Sequence, residues 1–265
     1  MSSDTYSEQD KLDCINKSPA AVAIHDKPAW LRLFASGALV NDPVGSRPHV
    51  GKDEISRFYD TFIAPNQISF NVQHDTVCGM TVVRDLIIET TMSTGLCVDV
   101  PTHIRYELAE ENGELKVEHL YAHWELMPMV LQTLKQGITG LVTYGKLSVH
   151  MIRCQGFGGV LGFMRGFGGV GKRGKLRAEE WLTAVCQGDS INTRAFIAAG
   201  AELHLPDADN CGLDKVVEQM RGMRWRKLTA AGNTVTATLM LGDRTGLVFM
   251  VLNRKRHIIE ARFYL

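Results

Sequence analysis

Apolar positions recur at helical spacing over roughly the first sixty residues and then switch to alternation. Ile55, Phe58, Tyr59 and Phe62 fall at i, i+3, i+4 and i+7, which predicts an amphipathic helix from about Lys52 to Ile63. Upstream, Ser7-Glu8-Gln9-Asp10 has the form of a capping box, so a helix bearing Leu12, Cys14 and Ile15 should follow and bend or end at Pro19. Asp26-Lys27-Pro28 predicts a second helix start, with Trp30, Leu31, Leu33 and Phe34 behind it. Ala38 to Val40 reads as a strand stub that ends at Asp42-Pro43. From Gln67 onward, strands are predicted over 68–73, 76–83, 85–93, 96–107 and 115–124, with an Asn112-Gly113 turn before the last. In the fourth, Val98, Val100, Thr102, Ile104 and Tyr106 share one face, and His103 and Arg105 the other. Helices followed by a meandering sheet predict an α+β domain wrapped round one cavity.

The stretch 126–178 breaks this pattern. Its 53 residues contain no Asp or Glu, eight Lys or Arg, and twelve of the 25 glycines of the chain. Gly166 to Lys172 fits Gly-x-x-x-x-Gly-Lys, but Arg173 stands where a phosphate loop needs Ser or Thr, so no nucleotide site is expected. The stretch reads as a linker packed over two halves. The alternative is a lid that contacts a membrane surface weakly through Phe157, Leu161, Phe163, Met164, Phe167 and the basic residues.

Beyond it the sequence repeats itself. Thr183 to Asp189 matches Ala20 to Asp26 without a gap, and Gly200-Ala201-x-Leu203-x-x-Pro206 falls on Gly37-Ala38-x-Val40-x-x-Pro43. Gly212 to Val216 then matches Gly51 to Ile55, and Ile259 to Phe263 echoes Val117 to Tyr121. Leu205 takes the place of Asp42 in the second copy. Three regions are therefore expected: 1–126, 127–177 and 178–265. The outer two would share one fold and pair within the chain, unless two chains pair as a homodimer.

Composition mainly excludes. With 29 basic and 29 acidic residues, nothing calls for nucleic acid. The polar N-terminus, Met1 to Asp10, is unlike a secretory leader, and no uncharged apolar run approaches the roughly 18 residues of a membrane span. Six scattered cysteines without Cys-x-x-Cys suggest reduced thiols and a cytoplasmic protein, and nine histidines show no metal-ligand spacing. No metal or cofactor is expected.

Candidate chemistry centres on Asp42. Pro43 holds it in extended backbone at the mouth of a strand, between apolar neighbours and a rigid turn. A carboxylate so placed can have a raised pKa and act as a general base; equally, Asp-Pro can simply begin a turn. The run Phe34 to Tyr59, with Asp-Pro-Val-Gly-Ser, x-Pro-x-x-Gly and Ile-x-x-Phe-Tyr, resembles the ketosteroid isomerases of the nuclear transport factor 2-like superfamily, which also holds polyketide cyclases and dehydratases. This resemblance spans about residues 10–126. It implies tandem cone-shaped domains, each of helices and a curved antiparallel sheet, and a small apolar, steroid-like keto substrate. Asp42 would move the proton, with Ser18 and Thr102 at the two oxyanion-donor positions, where the family has Tyr and Asp. Phe34, Phe58, Tyr59, Val100, Leu120 and Trp124 would bind substrate. A carrier without catalysis, or a dehydratase or cyclase, are the other outcomes the same scaffold implies.

Overall fold

The computed structural model describes residues 6–265; the first five residues of the polar N-terminus lie outside the described residues. The first half contains α1 (Glu8–Ala23), α2 (Lys27–Arg32), β1 (Phe34–Asn41), β2 (His49–Val50), α3 (Gly51–Phe58), β3 (Gln67–Cys78), β4 (Thr81–Thr91), β5 (Cys97–Glu111) and β6 (Glu114–His123). Then follow α4 (Leu126–Leu134), α5 (Ile138–Met164), α6 (Gly171–Gln187), α7 (Ser190–Thr193), β7 (Ile197–His204), α8 (Leu213–Met220), β8 (Arg224–Ala231), β9 (Thr234–Leu241), β10 (Arg244–Leu252) and β11 (Ile258–Tyr264). The strands form two curved sheets, ordered β2-β1-β6-β5-β4-β3 and β7-β11-β10-β9-β8.

Local chemistry explains the starts of the first helices. Ser7 and Asp10 form a reciprocal capping box on α1, and the Asp26 carboxylate accepts from Ala29 N at the head of α2. Pro19 does not end α1, which continues to Ala23. Ala21 and Val22, beyond the proline, are buried in the same core as Cys14 and Ile15, and that packing outweighs the roughly 3 kcal/mol a mid-helix proline costs. Phe34 starts β1 rather than extending α2, because its side chain packs edge-on against Trp30 at 4.6 Å, across the corner between them. The three strands expected at 68–73, 76–83 and 85–93 are instead the two arms of one long hairpin, β3 and β4, turning at Gly79, whose φ is +57°. The apolar residues on both sides of that turn hid it from alternation alone.

The stretch 126–178 is mostly helix rather than linker. Alternation and turn signals cannot detect this, since its glycines lower helix propensity without preventing a helix that has packing partners.

The two sheets pack on one another. Asp85 on β4, fully buried, accepts from Lys227 Nζ at 2.5 Å, Arg226 Nη2 at 3.1 Å and Thr238 Oγ1 at 2.7 Å, all from the second sheet. Lys227 reaches it from a bulge in β8, where its φ of +53° turns the side chain toward the first half. Because the Thr238 hydroxyl gives its proton to Asp85, it must accept from His103 Nε2 (3.1 Å), and His103 Nδ1 then accepts from Thr236 Oγ1 (2.7 Å). Burial holds His103 well below the ordinary imidazole pKa, consistent with this neutral tautomer. Val83, Leu247, Phe249 and Tyr264 form a separate apolar cluster in the same interface. At its end the second half braces the Asp42 turn directly. A Cβ on Gly45 would lie 2.6 Å from Gly232 Cα, and one on Gly169 2.0 Å from Gly232 O, so three backbones meet where only glycine fits.

Candidate functional site

The site follows from the pairing of β1 with β6. These strands are parallel, with Val40 opposite Leu120 and Asn41 opposite Tyr121, so both end at the same edge of the cone. The residues just beyond them, Asp42 and Trp124, therefore meet. Trp124 Nε1 donates to Asp42 Oδ1 at 2.5 Å. The Asp42–Pro43 peptide bond is cis. Val44 N donates to Ala122 O at 2.9 Å and ties the turn to β6, while the Ser46 hydroxyl donates to Pro43 O at 2.7 Å and closes it.

Asp42 faces a cavity of about 620 Å³ enclosed by the first-half helices, the concave face of the sheet and α5. Of the residues expected at the site, Asp42, Ser18, Phe58, Val100, Leu120 and Trp124 line it together. Desolvation in this apolar setting raises the Asp42 carboxyl to about 6, while the Trp124 hydrogen bond pulls the other way and leaves part of the rise standing. The carboxyl is thus poised to exchange a proton near neutrality.

Three expected residues are placed elsewhere. Thr102 is fully buried, lies off the cavity wall and donates to Val100 O at 2.9 Å. That local bond satisfies the hydroxyl within its own strand, and Thr102 presents no donor to the cavity. Phe34 packs behind the wall on Trp30, and Tyr59 packs on the same indole at 5.3 Å. The Tyr59 hydroxyl is buried without a hydrogen-bond partner among the described residues, and Ser18 accepts from Trp30 Nε1 at 3.0 Å. Ser18 also lines the cavity, and its own proton is not used in that bond.

Tyr106 supplies what the expected set lacked. It lies two residues beyond Ile104 on the cavity face of β5, and its ring lines the cavity. Burial, with Asp42 adding to the rise, pushes its phenol to about 12, so it stays protonated and able to donate. Alternation had placed Tyr106 on this face, and that was the available signal. Helix α5 was not legible in advance: Lys146, His150, Arg153 and Phe163 line the cavity from it. It is fastened by His150 Nε2 donating to Asp60 O at 2.8 Å, Gln155 Nε2 to Thr61 Oγ1 at 3.0 Å, and Phe163 stacking on Phe62. Both polar anchors lie in a π-helical turn, Tyr59–Ile63, directly after α3.

The model of the SnoaL-like domain matches residues 15–117. No curated protein matches the chain. Among solved structures, a Δ5-3-ketosteroid isomerase from Mycobacterium sp. is 24% identical, covering 45% of this chain and 95% of its own, with a TM-score of 0.41. A Mycobacterium tuberculosis protein in complex with estradiol-17β-hemisuccinate is 22% identical over 45% of this chain and 96% of its own, with a TM-score of 0.41. A SnoaL-like polyketide cyclase from Shewanella putrefaciens CN-32 is 18% identical over 49% of this chain and all of its own, with a TM-score of 0.43. The match to the SnoaL-like domain falls on residues 15–117, the part of the chain that carries Asp42.

Proposed function

We propose that the first half is an isomerase that shifts a carbon–carbon double bond in an apolar keto substrate, Asp42 carrying the proton. The observation that supports this most is a single carboxyl, raised to about 6, at the wall of an apolar cavity large enough for a steroid-sized ligand. Ionised Asp42 removes a proton from the carbon between the carbonyl and the double bond. The electrons move onto the carbonyl oxygen as a dienolate, and Asp42 returns the same proton to the far carbon of the former double bond, so no atom is gained or lost. Tyr106 and Ser18 are the donors assigned to the enolate oxygen.

A β,γ-unsaturated ketosteroid tests the reading through growth of enone absorbance. Wild-type protein should convert it, and Tyr106→Phe should lower kcat by about 10² to 10³ with little change in KM, the usual effect of losing an oxyanion donor. Equal kcat in the two proteins would remove Tyr106 from the mechanism. No conversion of ketosteroid by wild type would favour the second reading, an apolar-ligand carrier. The observation behind that alternative is that Thr102 has turned its hydroxyl to the backbone.

We also infer that the second half is a shortened copy of the same domain, paired with the first inside the chain. In each half the first strand lies parallel to the last, and in each pairing a step of five residues along the first strand is set against a step of two along the last: Phe34 to Leu39 against Val117 to His119, and Ile197 to Glu202 against Ile258 to Glu260. Asp26 and Asp189 cap equivalent short helices, while buried Leu205 replaces Asp42, which leaves the second cone without a base. Residues 1–126 expressed alone expose Val83, His103 and His123, so the fragment should melt lower than the full chain or dimerise in an ultracentrifuge. A monomeric fragment as heat-resistant as the whole would rule the pairing out.

A further inference from the structure

Helix α5 is amphipathic the wrong way round for a soluble protein. Its inner face, with Thr143, Leu147, His150 and Met151, covers the cavity or packs beneath it. Its outer face carries Ile138, Leu141, Val142, Val149 and Ile152, which at 3.6 residues per turn fall within an arc of about 100°. Ile138 is 83% exposed and Leu141 67%. Gly156, with φ of +68°, breaks the helix, and the apolar surface continues past the break through Phe157 (75% exposed), Leu161 (70%) and Met164. Water-facing helices put polar residues at such positions, and apolar surface this continuous marks a contact site.

Charge narrows the occupant. No acidic residue occurs between 126 and 178. Lys135, Lys146, Arg153 and Arg165 have no ion-pair partner among the described residues. Lys146 and Arg153, seven residues apart, border the apolar arc and also line the cavity, so the basic edge runs from the outer surface to the ligand space. An apolar stripe on a segment whose own charges are all positive complements an anionic bilayer surface, where apolar side chains enter the acyl boundary and basic ones meet headgroup phosphates and carboxylates. No helix among the described residues is long and apolar enough to cross a membrane, so the contact is peripheral.

We propose that α5 forms a docking surface for anionic lipid bilayers, beside the cavity that its inner face covers. The role this gives the surface, taking up an apolar ligand from the bilayer, rests on the ligand reading above; the docking does not. Full-length protein should co-sediment with vesicles of phosphatidylcholine containing about 30% phosphatidylserine and be released as salt rises toward 0.5 M, with binding to pure phosphatidylcholine about tenfold weaker or less. The double variant Phe157→Asp, Leu161→Asp changes exposed side chains outside the cavity. It should lose anionic-vesicle binding at least about tenfold while keeping its melting temperature and any enone-forming activity. Failure of the wild type to bind phosphatidylserine vesicles at low salt would overturn the proposal. So would a vesicle-independent dimer abolished by the double variant, since the occupant would then be a second copy of the chain. Failure of the ketosteroid assay alone leaves the vesicle result to stand or fall by itself.

Discussion

Asp42→Asn is expected to lower turnover of a keto substrate by about 10² to 10⁴, the contribution of a positioned general base. The same change should leave the fold intact or firmer. Asp42 has its carboxyl raised from 3.8 to about 6 in the folded protein. A carboxyl with a raised folded pKa binds its proton more tightly when folded, so it favours the folded state at low pH. That contribution fades as pH climbs from about 4 to 6, and at pH 7 the buried charge opposes folding by up to about 3 kcal/mol. Asparagine removes that charge, so the variant should melt at or above the wild-type temperature at pH 7, and the two should converge near pH 4. Wild-type activity should rise with pH through about 6, as the base ionises. Trp124→Phe deletes the hydrogen bond that favours ionised Asp42, and the rising limb should move to higher pH. Wild-type turnover in Asp42→Asn, measured by the enone assay, would remove the base assignment.

Asp85→Ala should be the most destabilising single change in the interface, at about 3 to 5 kcal/mol, because it leaves the nearly buried Lys227 ammonium without its carboxylate. For a chain of this size that is a fall on the order of 10 °C in melting temperature. Thr238 and His103 lose their anchor as well, since the proton order in that chain is set by Thr238 donating to Asp85. Replacing both ends together, as Asp85→Leu with Lys227→Met, removes the unpaired charge and should recover most of the loss. Calorimetry on the single and double variants separates a charge effect from a packing one. A single variant melting within a degree or two of wild type would show that the ion pair does not hold the halves together.

The turn bearing Asp42 was legible because Asp42-Pro43-Val44-Gly45-Ser46 combines an end to a strand with turn residues in a fixed order. Strand alternation also told which side of β5 faces inward. It could not tell how deep each position lies, which is why Thr102 and Tyr106, on one face by parity, differ: one closes a bond to its own strand and the other meets the cavity. Phe34 and Tyr59 fail for a similar reason, since both belong to the layer that supports the wall through Trp30. Helix α5 was masked by its glycines, which argue against a helix, although Ile138, Leu141, Val142, Val149 and Ile152 do recur at helical spacing. Alternation put His103 and Arg105 on the strand face away from the cavity, yet the centre of the interface, Asp85 with Lys227, depends on a bulge in β8 that no local pattern marks.

The central claim is that an apolar cavity holds Asp42 ready to give and take a proton near neutrality. Carbon-13 labelling of Asp carboxyls, with a pH titration by NMR of wild type against Asp42→Asn, assigns the Asp42 signal by its absence from the variant. The account predicts one carboxyl titrating with a midpoint at about 6, present only in the wild type. An Asp42 signal with a midpoint at or below the ordinary carboxylate value of about 4 would contradict it.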